Sequence, residues 1–115
     1  MNNFLNIKDI DHLIKISIDL SYIKSLKKDL NWLINESIDL IDYNYEEEKD
    51  EFNLSKIDKC RASLLNLQTN LDYNDINLCF RILDSLKNLC DFNEEIKNNI
   101  NIIEHNLKKL RAAIR

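Results

Sequence analysis

Not one of the 115 residues is glycine or proline. Glycine supplies the positive φ of tight turns, and proline breaks or caps regular elements. A chain without either lacks the usual means of building hairpins, phosphate-cradling loops and the strained turns that expose nucleophiles. What remains is written for helices joined by Asn and Asp, which cap helix N-termini and tolerate turn conformations. The expected fold class is all-α: a four-helix antiparallel bundle with a long first helix, forming one helical-bundle domain over residues 1–115.

Hydrophobic residues make up 44% of the chain, enough for a core that needs no metal or disulfide staple. The apolar set is almost all Ile and Leu, with three Ala and no Val, and Asn and Ile each occur 17 times. This bias points to an A+T-rich coding sequence. The net charge of −4 argues against a general nucleic-acid binder, whose affinity comes from releasing phosphate counterions. No apolar run approaches the ~18 residues of a membrane span, and the N-terminus lacks a secretory pattern. A cytoplasmic protein is therefore expected, in the host cytoplasm if the source is viral. Cys60, Cys79 and Cys90 form no CxxC pair. Each falls on an apolar stripe, so all three are expected to be buried free thiols without metal or cofactor.

Helical periodicity is strong in four segments. The first runs from about Asp9, a possible N-cap, to Tyr43. Its main stripe is Leu13, Ile16, Leu20, Ile23, Leu30, Ile34 and Ile41, with Leu26, Leu33 and Leu40 widening the face. Steps of three and four mark a helix in a bundle. Lys27 interrupts the stripe, and a break near residues 27–29, with Asp29 as a second cap, is one option. Five carboxylates in residues 46–51 read as a solvated loop. Asn53 or Ser55 is expected to cap the second helix, whose stripe is Ile57, Cys60, Leu64, Leu67 and Leu71. Asp72 is the expected cap of the third, with Ile76, Cys79, Leu83, Leu86 and Cys90. Asp91, with Glu94 as capping-box partner, opens the fourth, with Ile96, Ile100, Ile103, Leu107, Leu110 and Ile114. Short connections make successive helices antiparallel neighbours.

These four stripes fill one bundle core, and apolar residues are left over. In the first helix, Ile14, Ile18, Tyr22 and Trp32 lie away from the main stripe. In the third, Leu78, Ile82 and Leu89 form a second line, and the fourth has Ile102 out of place. A helix apolar on two sides is packed between layers or docked on another chain. The alternative is that residues 1–10 fold back over Ile14 and Ile18 through Phe4, Leu5 and Ile7.

Chemistry-bearing residues form few patterns. Glu36 and Asp39 stand one turn apart, followed by Asp50, Glu51 and Asp58. Leu33-Ile34-Asn35-Glu36-Ser37-Ile38-Asp39-Leu40 resembles the first acidic motif of the MazG-type all-α nucleoside-triphosphate pyrophosphatases. That resemblance covers about 25 residues and implies Mg²⁺-dependent hydrolysis at Glu36 and Asp39. Ser55-Lys56-Ile57-Asp58 departs from it, with Ser where the first Glu of the second motif belongs. His12 and His105 lack the Glu-x-x-His spacing of bundle di-metal sites. Two basic clusters, Lys24/Lys27/Lys28 beside Tyr22 and Trp32, and Lys108/Lys109/Arg111/Arg115, suit either solvated surface or a local nucleic-acid contact.

The favoured reading is a non-enzymatic protein-binding module or homo-oligomer: an adaptor, an inhibitor or an assembly subunit, of a size and composition that fit a phage or other mobile element. Its expected contact residues are Ile14, Ile18, Tyr22, Trp32, Leu78, Ile82 and Leu89. Nucleic acid and membrane are not expected as partners. The competing readings are the Mg²⁺-dependent hydrolase at Glu36 and Asp39, and a nucleic-acid-associated subunit using the two basic clusters.

Overall fold

The computed structural model describes residues 7–114, with the Ile7 side chain excepted. Four helices follow in order: α1 (Ile7–Glu47), α2 (Glu51–Asp72), α3 (Ile76–Leu89) and α4 (Glu94–Ile114). No strand occurs among the described residues. Each helix packs on the next and α4 closes against α1, while diagonal pairs make no close approach. The result is the up-down-up-down four-helix antiparallel bundle that short connections favour.

The core follows the three-four spacing. All five stripe residues of α2 and all of those in α3 are buried, together with Cys90 at the α3 C-cap. Ile96, Ile100, Ile103, Leu107 and Leu110 of α4 are buried, while Ile114 is exposed at its end. From α1 come Leu26, Leu30, Leu33, Ile34, Ile38 and Ile41, with Ile23 and Leu40 half-covered. The expected α1 stripe fails at its start, because Leu13, Ile16 and Leu20 are exposed. Their spacing is right, but they lie beyond the region where α1 contributes fully buried residues to the bundle.

The option of a break near residues 27–29 is not taken, since α1 runs unbroken to Glu47. Lys27 needs no kink: its Nζ reaches the α2–α3 turn and donates to Asn74 Oδ1 at 2.7 Å. Asp9 lies in the first turn of α1 rather than at a cap before it, where a carboxylate favours the helix dipole. The acidic segment 46–51 is largely helical, with only residues 48–50 outside α1 and α2.

The caps fall on other residues than the spacing suggested. Asp50, not Asn53 or Ser55, caps α2 by accepting from the Phe52 and Asn53 N–H groups. Asp75, not Asp72, caps α3 by accepting from the Leu78 N–H. At α4 the Asn93 carbonyl oxygen of the side chain accepts from the Ile96 N–H. Asp91 instead pairs with Lys56 of α2 at 2.5 Å. In each case the chain places an Asp or Asn in the last position before the helix, where its short side chain reaches the unpaired N–H groups.

The α2–α3 turn shows how a glycine-free chain reverses. Asn74 has φ 59°, in the left-handed region. The Asp75 N–H donates to the Asn70 carbonyl and the Asn74 N–H to the Leu71 carbonyl, the pattern of a Schellman closure that usually uses glycine. Asn is the non-glycine residue best suited to that conformation. Polar contacts then tie neighbours together across the bundle. Buried Ser37 Oγ donates to the Leu33 carbonyl at 2.8 Å and accepts from Asn99 Nδ2 of α4 at 3.2 Å. Replacing Asn74 with Ala should cost about 1 kcal/mol in urea denaturation, through the steric penalty of a Cβ with no compensating side-chain contact. Replacement by Gly, which carries no such penalty, should cost less than Ala despite losing the Lys27 bond.

Candidate interaction surface

The α1 helix is 41 residues long, against 22, 14 and 21 for α2, α3 and α4. Its first fully buried residue is Leu26. The preceding segment, residues 8–25, extends over about 27 Å at the helical rise and contains no buried side chain. It is nevertheless rich in large apolar groups: Ile10, Leu13, Ile14, Ile16, Ile18, Leu20 and Tyr22 are all exposed, Ile18 at 63% and Leu20 at 61%.

These side chains fall on two lines. Leu13, Ile16, Leu20 and Ile23 step by three and four, and stepping on through Lys27 the same line becomes Leu30, Ile34, Ser37 and Ile41 inside the bundle. One coiled-coil-type seam therefore runs the length of α1, covered in its second half and open in its first. Ile14, Ile18 and Tyr22 step by four along another side. Charge in this segment is balanced, because Lys8, Lys15 and Lys24 offset Asp9, Asp11 and Asp19. The net acidity of the chain resides elsewhere.

Where the open seam meets the bundle, Leu20, Ile23, Lys24, Lys27, Lys28 and Asn31 line a shallow hollow of about 530 Å³. Its lining is two apolar side chains, three ammonium-bearing ones and an amide. The sequence pattern contained the signal for it, in the Lys27 interruption of an otherwise apolar stripe. Of the main-stripe residues Leu13, Ile16 and Leu20, which spacing alone assigned to the core, all are exposed and Leu20 lines the hollow.

The expected contact residues divide. Ile14, Ile18 and Tyr22 are exposed on the projecting segment. Trp32 is 64% exposed but lies more than two turns farther along, with Ser25, Lys28 and Asp29 intervening. The α3 part of the expectation is corrected. Ile82 is buried, and Leu78 and Leu89 are half-covered against the core. A short helix wedged between two neighbours in a square bundle presents a broad face to them, and that face absorbs both apolar lines. Phe4, Leu5 and the Ile7 side chain, on which the fold-back alternative rests, lie outside the described residues, as does Arg115.

The remaining chemistry-bearing groups are dispersed. Glu36, Asp39 and Asp58 are exposed, as are His12 and His105. Among the described residues, no three Asp, Glu, His or Cys side chains gather where they would hold a metal ion. Asp42 is engaged by Arg61 Nε at 2.8 Å beside a small hollow that Asp58 also lines. In the C-terminal basic cluster, Arg111 stacks over Phe80 of α3 at 4.3 Å from the ring centre. No described helix is long and apolar enough to cross a membrane.

Three thiols are buried and free. Cys60 Sγ lies 2.6 Å from Cys90 Sγ, and Cys79 Sγ donates to the Leu67 carbonyl at 3.8 Å. The thiol–thiol hydrogen bond with Cys90 and then burial hold the Cys60 thiol protonated far above the ordinary range. Burial, with the nearby Asp75 carboxylate adding to it and Lys27 opposing, pushes Cys79 up to about 11. The Lys87 ammonium hydrogen-bonded to Glu104 holds that carboxyl below its usual value of 4.5. Lys56 does the same to Asp91.

Two measurements check these placements. Trp32→Ala should change stability by less than about 0.5 kcal/mol, whereas Ile82→Ala should cost about 2–4 kcal/mol in the same denaturation experiment. The lowered Glu104 value means the Lys87 contact contributes above pH 4.5 and is lost as pH falls through the folded-state value. Glu104→Gln should therefore remove under about 1 kcal/mol at pH 7 and flatten the decline in stability below pH 4.5.

Neither a protein-family model, nor a curated protein, nor a solved structure matches this chain, so function is argued from the projecting apolar segment itself.

Proposed function

We propose that this protein is a helical protein-binding module that works through the projecting half of α1, as an adaptor, inhibitor or assembly subunit. The observation carrying this reading is the open seam of Leu13, Ile16 and Leu20, continuous with the seam that α1 buries inside its own bundle. Burying the exposed remainder of each such side chain is worth roughly 1 kcal/mol. Three of them on the open seam make a non-directional drive for helix-on-helix association, while Ile14, Ile18 and Tyr22 stand on the other side of the helix.

The first occupant is the same segment of a second copy, laid antiparallel. Asp9 and Asp11 sit near one end of the segment and Lys24 near the other, with Lys27 and Lys28 just beyond it. Antiparallel pairing brings opposite charges together at both ends and generates a self-complementary two-fold interface. The balanced charge of the segment leaves little net repulsion to overcome.

Sedimentation equilibrium tests the reading. The wild-type chain should form dimers or larger even assemblies at micromolar concentration. The Ile16→Asp/Leu20→Asp double variant should be monomeric with unchanged helicity in the bundle. If the wild type stays monomeric but co-purifies from its native cell with a defined protein that the double variant fails to bind, the module stands and the self-pairing falls. A monomer at every concentration with no such protein overturns both.

A further inference from the structure

We propose that Cys60 and Cys90 are a redox-active pair that closes into a reversible intramolecular disulfide, stapling α2 to the corner between α3 and α4. The two sulfurs are 2.6 Å apart, already inside ordinary sulfur–sulfur contact. Closing to a bond of about 2.05 Å asks for a movement of about half an ångström. Both side chains are essentially sealed from solvent, so the pair is held by the surrounding packing and not by a chance encounter of surface groups.

The backbone around the pair is anchored independently. Cys90 is the C-cap of α3, with its N–H bonded to the Leu86 carbonyl. The next residue, Asp91, is tied to Lys56, one turn before Cys60 on α2. The salt bridge and the thiol pair thus grip the same corner from adjacent turns of one helix. Cys79 does not belong to the pair. It lies nineteen residues beyond Cys60 in sequence, its sulfur contacts the Leu67 carbonyl two turns along α2, and it serves as an internal control.

The co-reactant is a small peroxide, hydrogen peroxide being the simplest. One sulfur attacks a peroxide oxygen, the O–O bond breaks, and a sulfenic acid and one water result. The neighbouring sulfur then attacks the sulfenic sulfur, forming the S–S bond and expelling the hydroxyl as a second water. Two S–H bonds are lost, the peroxide takes up two electrons and two protons, and a dithiol reductant reverses the change by thiol–disulfide exchange. Because both thiols are buried and Cys60 is held protonated, oxidation proceeds through local opening of the α3–α4 corner and is slow. The closed loop contains the second half of α2, the Asn74 turn and all of α3.

Intact mass spectrometry of the folded full chain after hydrogen peroxide, with dithiothreitol reversal, tests the proposal. The mass should fall by two hydrogen atoms, and peptide mapping should recover Cys60 linked to Cys90 with Cys79 free. The melting temperature should rise by roughly 10 °C or more, the effect expected for cross-linking a loop of this length. Cys79→Ala should behave as wild type, while Cys60→Ala and Cys90→Ala should lose both the mass change and the melting shift, with helicity checked by circular dichroism. The chain unfolded in urea controls for the oxidant. If it forms disulfides while the folded chain keeps all three thiols, or if the folded chain links Cys79 or a second molecule instead, the proposal is overturned.

Discussion

A helix can be buried only along the length that its neighbours cover. This constraint organises the molecule. The second half of α1 packs against α2 and α4, and its seam vanishes into the core at Leu30, Ile34 and Ile41. The same spacing in the first half meets no buried environment, and Leu13, Ile16 and Leu20 stay exposed. Nothing about these three side chains differs chemically from those that fold inward. Their status is set by the 41-residue length of α1 against the 22 residues or fewer of the other helices.

The bundle that creates this mismatch is assembled from a narrow chemical set. Its core is Ile, Leu and Cys, and its junctions are Asp and Asn. Aspartates 50 and 75 and Asn93 each satisfy N–H groups that a helix leaves unpaired at its start. Asn74 supplies the single positive φ among the described non-glycine residues and closes α2 as glycine commonly does. Across the bundle, Ser37 with Asn99 fixes the height of α1 against α4, because a buried hydroxyl must keep its partners. Lys27 with Asn74 marks the level at which the bundle ends and the projecting segment begins.

Two features of this frame carry the two proposals separately. The projecting segment offers apolar area with balanced charge, and the hollow at its base carries three lysines. The corner where α3 meets α4 brings two thiols together in a sealed space and pins them with Lys56 and Asp91. The proposed contact with another chain rests on the first; the proposed disulfide rests on the second. They share no residue, so a change at one leaves the other readable.

The amino-acid sequence by itself determined the class of fold, the four stripes and the antiparallel order, because three-four spacing and short Asn/Asp connections leave few other arrangements. Cys60, Leu64, Leu83 and Ile103 were legible as core from spacing alone. The caps were legible as to residue type but not position, since several Asp and Asn stand close together at each junction and only backbone geometry selects which one reaches the free N–H groups. The exposed Ile14, Ile18 and Tyr22 were readable as surplus. The burial of Ile82 and the exposure of Leu20 were not, because a stripe records which side of a helix is apolar and carries no information about how far its neighbours extend. That extent, and the meeting of Cys60 with Cys90 across thirty residues, were decided only when the helices packed.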